Sequence, residues 1–549
     1  MTVQEKSPLL KPEPSKARGK EPDVDIRAEF LSLTSMALQV SLSTFARLAL
    51  TSVDYAFLGH LGTKELAAAS LSSVWTSVPL MGVWAGAGAL TTLCGQAWGA
   101  KNYELTGVWL QMGTVVCSIF VIPVFIWYWC VEYALALSTD DPEVIHLGGR
   151  FARIISFASW PAVVYACVRL YFQSMGIMAP TTVVGALSIG VAVMANYFLI
   201  YGCFGWGGLG FDGSPLATVI ASWFQPIALV SYCVLYKKMH LRAWGGWDLT
   251  AFTPDRLKTY ANIAGFIAAN SMISNLASSS LSLIAAKLGS DIIAANAVIT
   301  GLWRLLWALF WGFGCATQIR VANCLGANRP RAAKALAKLG FGCTIACVAV
   351  LATITLSLRE KLFQLYTTDD DLLRLCMLVQ PIFITGYMIE SIEMLTSGVL
   401  TAMGRVRIIA WTSTFSTWCI ELPMAYIGGI VLGFGFPALW YSICTMEVVK
   451  LIVYLITLSR TDWNEMARTA VENMEVTDET TGELEDEAFS FALSEGGNAP
   501  LGYNTVPLSP LTPIPTPSSI SSKQWGDDVE DGNGLHIRRS RRTGSTSGL

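Results

Sequence analysis

Between residues 29 and 459 the chain reads as a succession of long apolar runs broken only by short polar intervals. The runs fall near 29–59, 66–95, 106–138, 147–174, 181–204 and 214–236, then 259–286, 293–323, 332–358, 372–402, 406–430 and 437–459. A membrane crossing takes about 20 mostly apolar residues as a helix, or about ten alternating ones as a barrel strand, so runs of this length select helices. They predict an all-α polytopic membrane protein of twelve transmembrane helices, and the longest runs predict tilt or protruding ends. Composition agrees: 53% of residues are hydrophobic and 14% charged, with a mean hydropathy of +0.49, outside the range of a water-soluble domain of this length. A net charge of −3 without a basic stripe gives no footprint for nucleic acid. Most of the 13 cysteines sit inside apolar runs without metal-ligand spacing and read as small packing residues.

An even number of spans puts both termini on one side. Lys and Arg gather in 237–258, 320–334 and 404–407, which share that side, whereas 138–146 is acidic and 203–214 nearly chargeless. The segment 359–374 mixes Arg359, Lys361 and Arg374 with three aspartates and weakens this asymmetry without reversing it. The positive-inside rule then predicts cytoplasmic termini. The first ~27 residues are polar and basic with no apolar core of a cleaved signal, so the first span is expected to direct insertion.

An internal repeat organises the chain. "HLGTKELAAASLSSVW" (60–75) resembles "KLGSDIIAANAVITGLW" (287–303), and "CGQAWGAKN" (94–102) resembles "ANCLGANRP" (322–330), at a constant offset of 227 residues. "SMG" (174–176) and "AMG" (402–404) echo it at 228. A fixed offset over some 115 residues predicts two six-helix halves related by an axis along the membrane normal, the architecture of alternating-access transporters. The expected organisation is an N-terminal tail (1–28), an N-lobe (29–240), a cytoplasmic linker (241–258), a C-lobe (259–460) and a largely disordered C-terminal tail (461–549), with helix continuing briefly over 461–474. That tail turns acidic, then Pro/Ser/Thr-rich, then basic. Near the start, Glu5 precedes Leu9 and Leu10 in the spacing of an acidic dileucine signal, a candidate adaptor-binding site.

Carboxylates inside spans are costly, face the bundle interior and mark pathways. Asp54 lies in the first span, Glu390 and Glu393 in the tenth, Glu421 in the eleventh and Glu447 in the twelfth; Arg47, Arg153, Arg169, Arg304 and Lys450 are candidate counter-ions. Glu390 and Glu393 stand at i and i+3 on one helical face, where two ionised groups would repel, so one of them is expected to hold a proton. Glu393 also has a structural reading, Glu421 beside Pro423 has both, and Glu447 with Lys450 reads as an ion pair. Tyr55, Trp75, Trp303 and Trp307 are candidates to offer π faces to an organic cation. No Walker motif or nucleophile elbow is present, and His60, His146, His240 and His536 fall in loops or tails, so no enzyme chemistry is expected.

The stretches "LGHLGTKELAAASL", "TLCGQAWGAKNYELTGVWLQ", "YFQSMGIMAPTTVVGALS", "NYFLIYG" and "RVANCLGANRPRAAK" together resemble the multidrug and toxic compound extrusion (MATE) family, nearest its plant-like eukaryotic branch, over about 30–460. Cys94, Gly95, Gln96, Gly99, Asn323 and Gly326 carry the motifs. The resemblance implies a two-lobed, V-shaped antiporter exporting organic cations, alkaloids, flavonoid conjugates or organic acids against H⁺ or Na⁺, without a cofactor. It places Asp54 on a coupling aspartate of the first helix, Glu390 on a coupling glutamate of the tenth and Asn196 on an asparagine of the fifth. One departure stands out: the seventh span carries no acid where family members carry one or two, and Asn270 or Ser274 occupies the first such place. Asp54, Glu390 and Glu393 are then expected to carry the coupling. The reading is an H⁺-coupled antiporter, a monomer handling small organic substrates among membrane lipids, in the plasma membrane or a vacuolar or lysosomal one. Its rivals are a Na⁺-coupled exporter, a lipid-linked-glycan flippase with a basic central cavity, and a non-transporting scaffold or receptor.

Overall fold

The computed structural model describes residues 25–202, 206–248, 250–364 and 369–472. The chain divides into one unit over Met1–Glu485 and another over Asp486–Leu549; the second, like Glu5, Leu9 and Leu10, lies outside the described residues. Those residues form helices and no strand.

The spans, numbered in chain order, are Ile26–Leu61 (span 1), Thr63–Gly86 with Ala89–Gly99 (span 2), Tyr103–Trp129 (span 3), Pro142–Ser174 (span 4), Ala179–Tyr201 (span 5) and Gly213–Val230 extended by Ser231–Tyr236 (span 6). They continue as Pro254–Leu288 (span 7), Ser290–Gly326 (span 8), Pro330–Ser357 (span 9), Asp370–Ala402 (span 10), Val406–Val431 in four pieces (span 11) and Phe436–Ser459 (span 12). A further helix covers 463–472. Starts follow local chemistry: Asp25, Asn102, Asp141 and Asp369 each accept hydrogen bonds from the first backbone amides of their helix, and Pro142, Pro254 and Pro330 stand where the missing N–H costs nothing.

Ten of these helices are long and apolar enough to cross a membrane by length and composition. Span 7 falls short because Asn270, Asn275 and a run of serines lower its apolarity. Span 11 falls short because it is broken: wide π turns cover Ser416–Glu421 and Ile427–Val431. Pro423 has no N–H to give the carbonyl four residues back, and the backbone widens around that gap; Gly428 and Gly429 fall in the second wide turn.

Each half has its own apolar core. In the first it gathers round Trp109, Tyr171 and Phe172, joined by Tyr260 of span 7; in the second round Phe310, Phe383, Tyr387 and Trp440. Lipid-length side chains such as Ile119, Phe120, Ile122 and Ile126 point outward from span 3, as a hydrocarbon solvent allows.

Hydrogen bonds and an ion pair that join the halves run from the middle of the spans to one end. Ser41 Oγ donates to the Leu309 carbonyl at 2.9 Å, Arg320 pairs with Glu29, Thr92 Oγ1 donates to the Thr401 carbonyl at 3.0 Å, and Gln96 Nε2 to that of Ala402 at 2.9 Å. The motif glycines make the closest approach. A Cβ on Gly99 would overlap the backbone carbonyl of Asn323, and one on Gly326 would overlap that of Gln96. Both equivalences are the repeat offset (326 − 99 and 323 − 96 both give 227), so span 2 and span 8 cross at the internal symmetry axis. Only glycine lets two backbones touch this way. The segment between the halves is fastened to the first: Tyr171 Oη donates to the Ala243 carbonyl at 2.9 Å, and the Asp248 amide donates to Gln111 Oε1 at 3.0 Å. Outside the spans, Asp248 accepts from the Thr250 hydroxyl at 2.6 Å, and hydrogen bonding from Thr250 holds its carboxyl below the usual carboxylate range.

Candidate functional site

Three places collect the polar and charged side chains of the spans. The first is a cavity of about 290 Å³ inside the first half, lined by Arg47 and Asp54 of span 1, Trp84 of span 2, Tyr165 and Arg169 of span 4 and Thr218 of span 6, among others. Asp54 Oδ1 accepts from Asn196 Nδ2 at 2.9 Å and Oδ2 from Thr218 Oγ1 at 2.8 Å, so each carboxylate oxygen has a donor. Asn196 also donates to the Ala192 carbonyl at 2.9 Å, which fixes its amide.

The second is a cavity of about 390 Å³ between the halves. Spans 1, 2 and 4 supply Arg47, Trp84 and Arg169; spans 7, 8 and 10 supply Phe266, Asn270, Trp307, Trp311 and Ser397. Arg47, Met81, Trp84 and Arg169 line both cavities, which makes them neighbouring chambers with one shared wall. The Arg47 guanidinium carbon lies 4.8 Å from the Trp84 ring centroid and that of Arg169 5.6 Å from it, both within cation–π range. Trp307 and Trp311 stack at 4.7 Å between centroids.

The third is a buried ionic cluster in the second half. Lys450 Nζ donates to Glu447 Oε1 at 2.8 Å and stands 3.7 Å from Glu393 Oε1. Glu390 feels the charges of Glu447, Lys450 and Glu393, and Glu421 those of Glu447 and Lys450. The Glu393, Glu447 and Lys450 side chains are 9%, 5% and 12% exposed, so bulk water does little to screen them. Oε2 of Glu390 and Oε2 of Glu447 are buried without a hydrogen-bond partner among the described residues. The i, i+3 pair read from the sequence is therefore joined through Glu393 to Lys450 and Glu447.

The structure separates the remaining candidates. Asn270 lines the central cavity with a buried, unpartnered Oδ1, while Ser274, one turn on, is half-buried and outside the lining. Trp307 is a cavity wall. Trp303 instead packs against Phe383 and Trp440 in the second core, at 5.8 and 5.6 Å between centroids. Trp75 donates to Ser138 Oγ at 3.0 Å and packs against the cluster of Val131 and Leu135. The side chain of Tyr55 is outside the described residues. Gly95, Gln96, Gly99, Asn323 and Gly326 lie at the crossing of the halves rather than on a cavity wall, whereas Cys94 is buried in the first core. Trp84 and Thr218 were not singled out from the sequence. Trp84 stands at the repeat offset from Trp311 (311 − 84 = 227), a signal that the sequence did hold.

The MatE family model matches residues 40–198 and 267–427. Multidrug and toxin extrusion protein 2 of Mus musculus is 28% identical over 447 residues, covering 81% of this chain and 77% of its own length. Protein DETOXIFICATION 17 of Arabidopsis thaliana is 26% identical over 83% of this chain and 94% of its own length. Among solved structures, that of the eukaryotic MATE transporter AtDTX14 superposes with a TM-score of 0.75 at 21% identity, over 81% of this chain and 99% of that one. A MOP superfamily transporter from Pyrococcus furiosus, described by a reversed polarity of its binding pocket, superposes with a TM-score of 0.68 at 13% identity, covering 82% and 99%.

Proposed function

The chain belongs to the MatE family of multidrug and toxin extrusion transporters, which are not enzymes, and on that premise we propose that it is a secondary antiporter that moves small organic compounds against a proton gradient. The observation that carries the proposal is the buried Glu393–Lys450–Glu447 group, with Glu390 one turn from Glu393, Glu421 also buried in span 11, and unpartnered Oε2 atoms on Glu390 and Glu447. Buried carboxylates that outnumber the one ammonium among them cannot all stay ionised in a low-dielectric interior, and a proton on Glu390 or Glu393 relieves the excess charge. Lys450 already fills the cationic place in the cluster, which favours H⁺ over Na⁺ as the coupling ion. Gain and loss of that proton biases the packing of spans 10 to 12, and the halves rock in response; the coupling passes through conformation, because each arrangement of the halves has its own proton affinity. Asp54 takes second rank. With both oxygens hydrogen-bonded it is the one carboxylate in the lining of the first cavity, beside Arg47 and Arg169.

The hydrogen bonds and ion pair named above as joining the halves run from mid-span to the side of the basic loops, which supports an arrangement closed towards the cytoplasm, with both termini cytoplasmic. The host is the plasma membrane or a vacuolar or lysosomal one. Reconstitution of the chain in vesicles with an imposed pH gradient, with a panel of organic anions and cations, tests the reading. Gradient-driven exchange is expected for the native chain and loss of the proton drive in Glu390→Gln; exchange by that variant at the native rate overturns it. One observation favours a second reading. The charged side chains lining the central cavity are Arg47 and Arg169, the polarity expected of a lipid-linked-glycan flippase; flux of such a lipid without any proton dependence would select it.

A further inference from the structure

The geometry points to a small aromatic anion, such as an aromatic carboxylate or sulfate, as the cargo of the central cavity, held by Arg47 and Arg169 against Trp84 and the Trp307–Trp311 stack. This rests on the antiporter reading and names the substrate class for its site. The acids of the spans stand elsewhere: the central cavity has no aspartate or glutamate in its lining, the neighbouring chamber has Asp54, and the cluster of four glutamates is in the second half. Two guanidiniums close enough to act on each other flank one indole. A planar fork of donors matches the geometry of a carboxylate or sulfate, and an ammonium cargo would meet two like charges instead.

The aromatic wall specifies the body of the cargo. Trp84, Trp307, Trp311 and Phe266 line a volume of about 390 Å³, the range of drug-sized ligands. The repeat shows that this polarity belongs to one half only. Trp84 and Trp311 are equivalent positions and both line the cavity, whereas Arg47 corresponds to Ser274 and Arg169, at the offset of 228, to Ser397. Both halves thus give a flat apolar face, and the first alone gives the positive charge. A cargo with a ring and a negative group, oriented with that group towards spans 1 and 4, satisfies both.

A matched pair of probes tests this: 1-naphthoate and 1-naphthylmethylammonium carry the same ring with opposite charge. Their affinities for the full chain are measured by calorimetry in detergent, and their flux in phosphatidylcholine vesicles with a pH gradient. Naphthoate is expected to bind at least about tenfold more tightly than the ammonium. Arg169→Gln should weaken it by about tenfold, Arg169→Lys should retain part of the affinity with the charge, and Asp54→Asn should strengthen it several-fold by removing the nearby negative charge. Equal or tighter binding of the ammonium overturns the inference, as does unchanged naphthoate affinity in both Arg169 variants. Displacement of naphthoate by short-chain phosphatidic acid at lower concentration than by other aromatic carboxylates overturns it in favour of a lipid headgroup. Naphthoate that binds in this pattern but does not move with the gradient overturns the antiporter reading and upholds the anion site. Proton-driven flux of the ammonium with no naphthoate binding does the reverse.

Discussion

The two halves share one backbone plan and put opposite chemistry on it. In the first, Ala162 and Tyr165 of span 4 line an open cavity; 228 residues later the same positions of span 10 are Glu390 and Glu393, inside a packed cluster with Lys450. Asp54 of the first half corresponds to Leu281 in the second, and Arg47 to Ser274. Deep in the spans, the first half therefore sets one carboxylate, Asp54, with both oxygens hydrogen-bonded, against four in the second, Glu390, Glu393, Glu421 and Glu447, of which Glu390 and Glu447 each keep a buried oxygen without a donor among the described residues. A satisfied acid is a fixture of its cavity; buried acid oxygens without a donor call for an explanation, which the proposed proton exchange supplies. The difference teaches that pseudo-symmetry fixes where sites can be, and that a few substitutions decide which half carries the guanidiniums and which the glutamate cluster.

The sharpest way to break this comparison is Lys450→Met. Removing the ammonium leaves buried carboxylates uncompensated, with an expected loss of about 3–5 kcal/mol in stability, read from thermal unfolding in detergent; adding Glu447→Gln should recover part of it. An unchanged melting temperature in the single variant would show that the cluster is not the strained half. Next, Glu390→Gln should lower proton-driven exchange about tenfold or more, ~1.4 kcal/mol or more in the rate-limiting barrier, while calorimetric cargo binding persists. The glycine crossing tests equivalence rather than difference: Gly99→Ala and Gly326→Ala should each cost about 1–3 kcal/mol by forcing backbones apart, whereas Gly342→Ala, with open space round its Cα, should be neutral or stabilising. Smallest, Asn196→Ala should cost about 1 kcal/mol, because Thr218 still serves one oxygen of Asp54.

The spans were legible because a hydrocarbon solvent demands long uninterrupted helices, and apolar runs mark them directly. Span 11 shows the limit: Pro423 and the pair Gly428–Gly429 announce a disturbance, but the sequence does not say that the backbone answers with wide π turns. The acids were legible for the opposite reason, since a charge in a span stands out. Aromatics were not. In a membrane a helix is apolar on every side, so periodicity does not say which face meets the cavity, and Trp75 and Trp303 packed into the halves while Trp307 lined the space between them. The convergence of Arg47 and Arg169, 122 residues apart, on Trp84 joins spans 1, 2 and 4, a pairing that only tertiary packing creates.

The crossing at Gly99 and Gly326 brings each glycine against a main-chain carbonyl, with no ionisable side chain at the point of touch. A seal of that kind is indifferent to pH and to salt. The crossing therefore keeps its fit whatever titrates elsewhere in the spans, and the salt-sensitive contact between the halves is the Arg320–Glu29 pair instead.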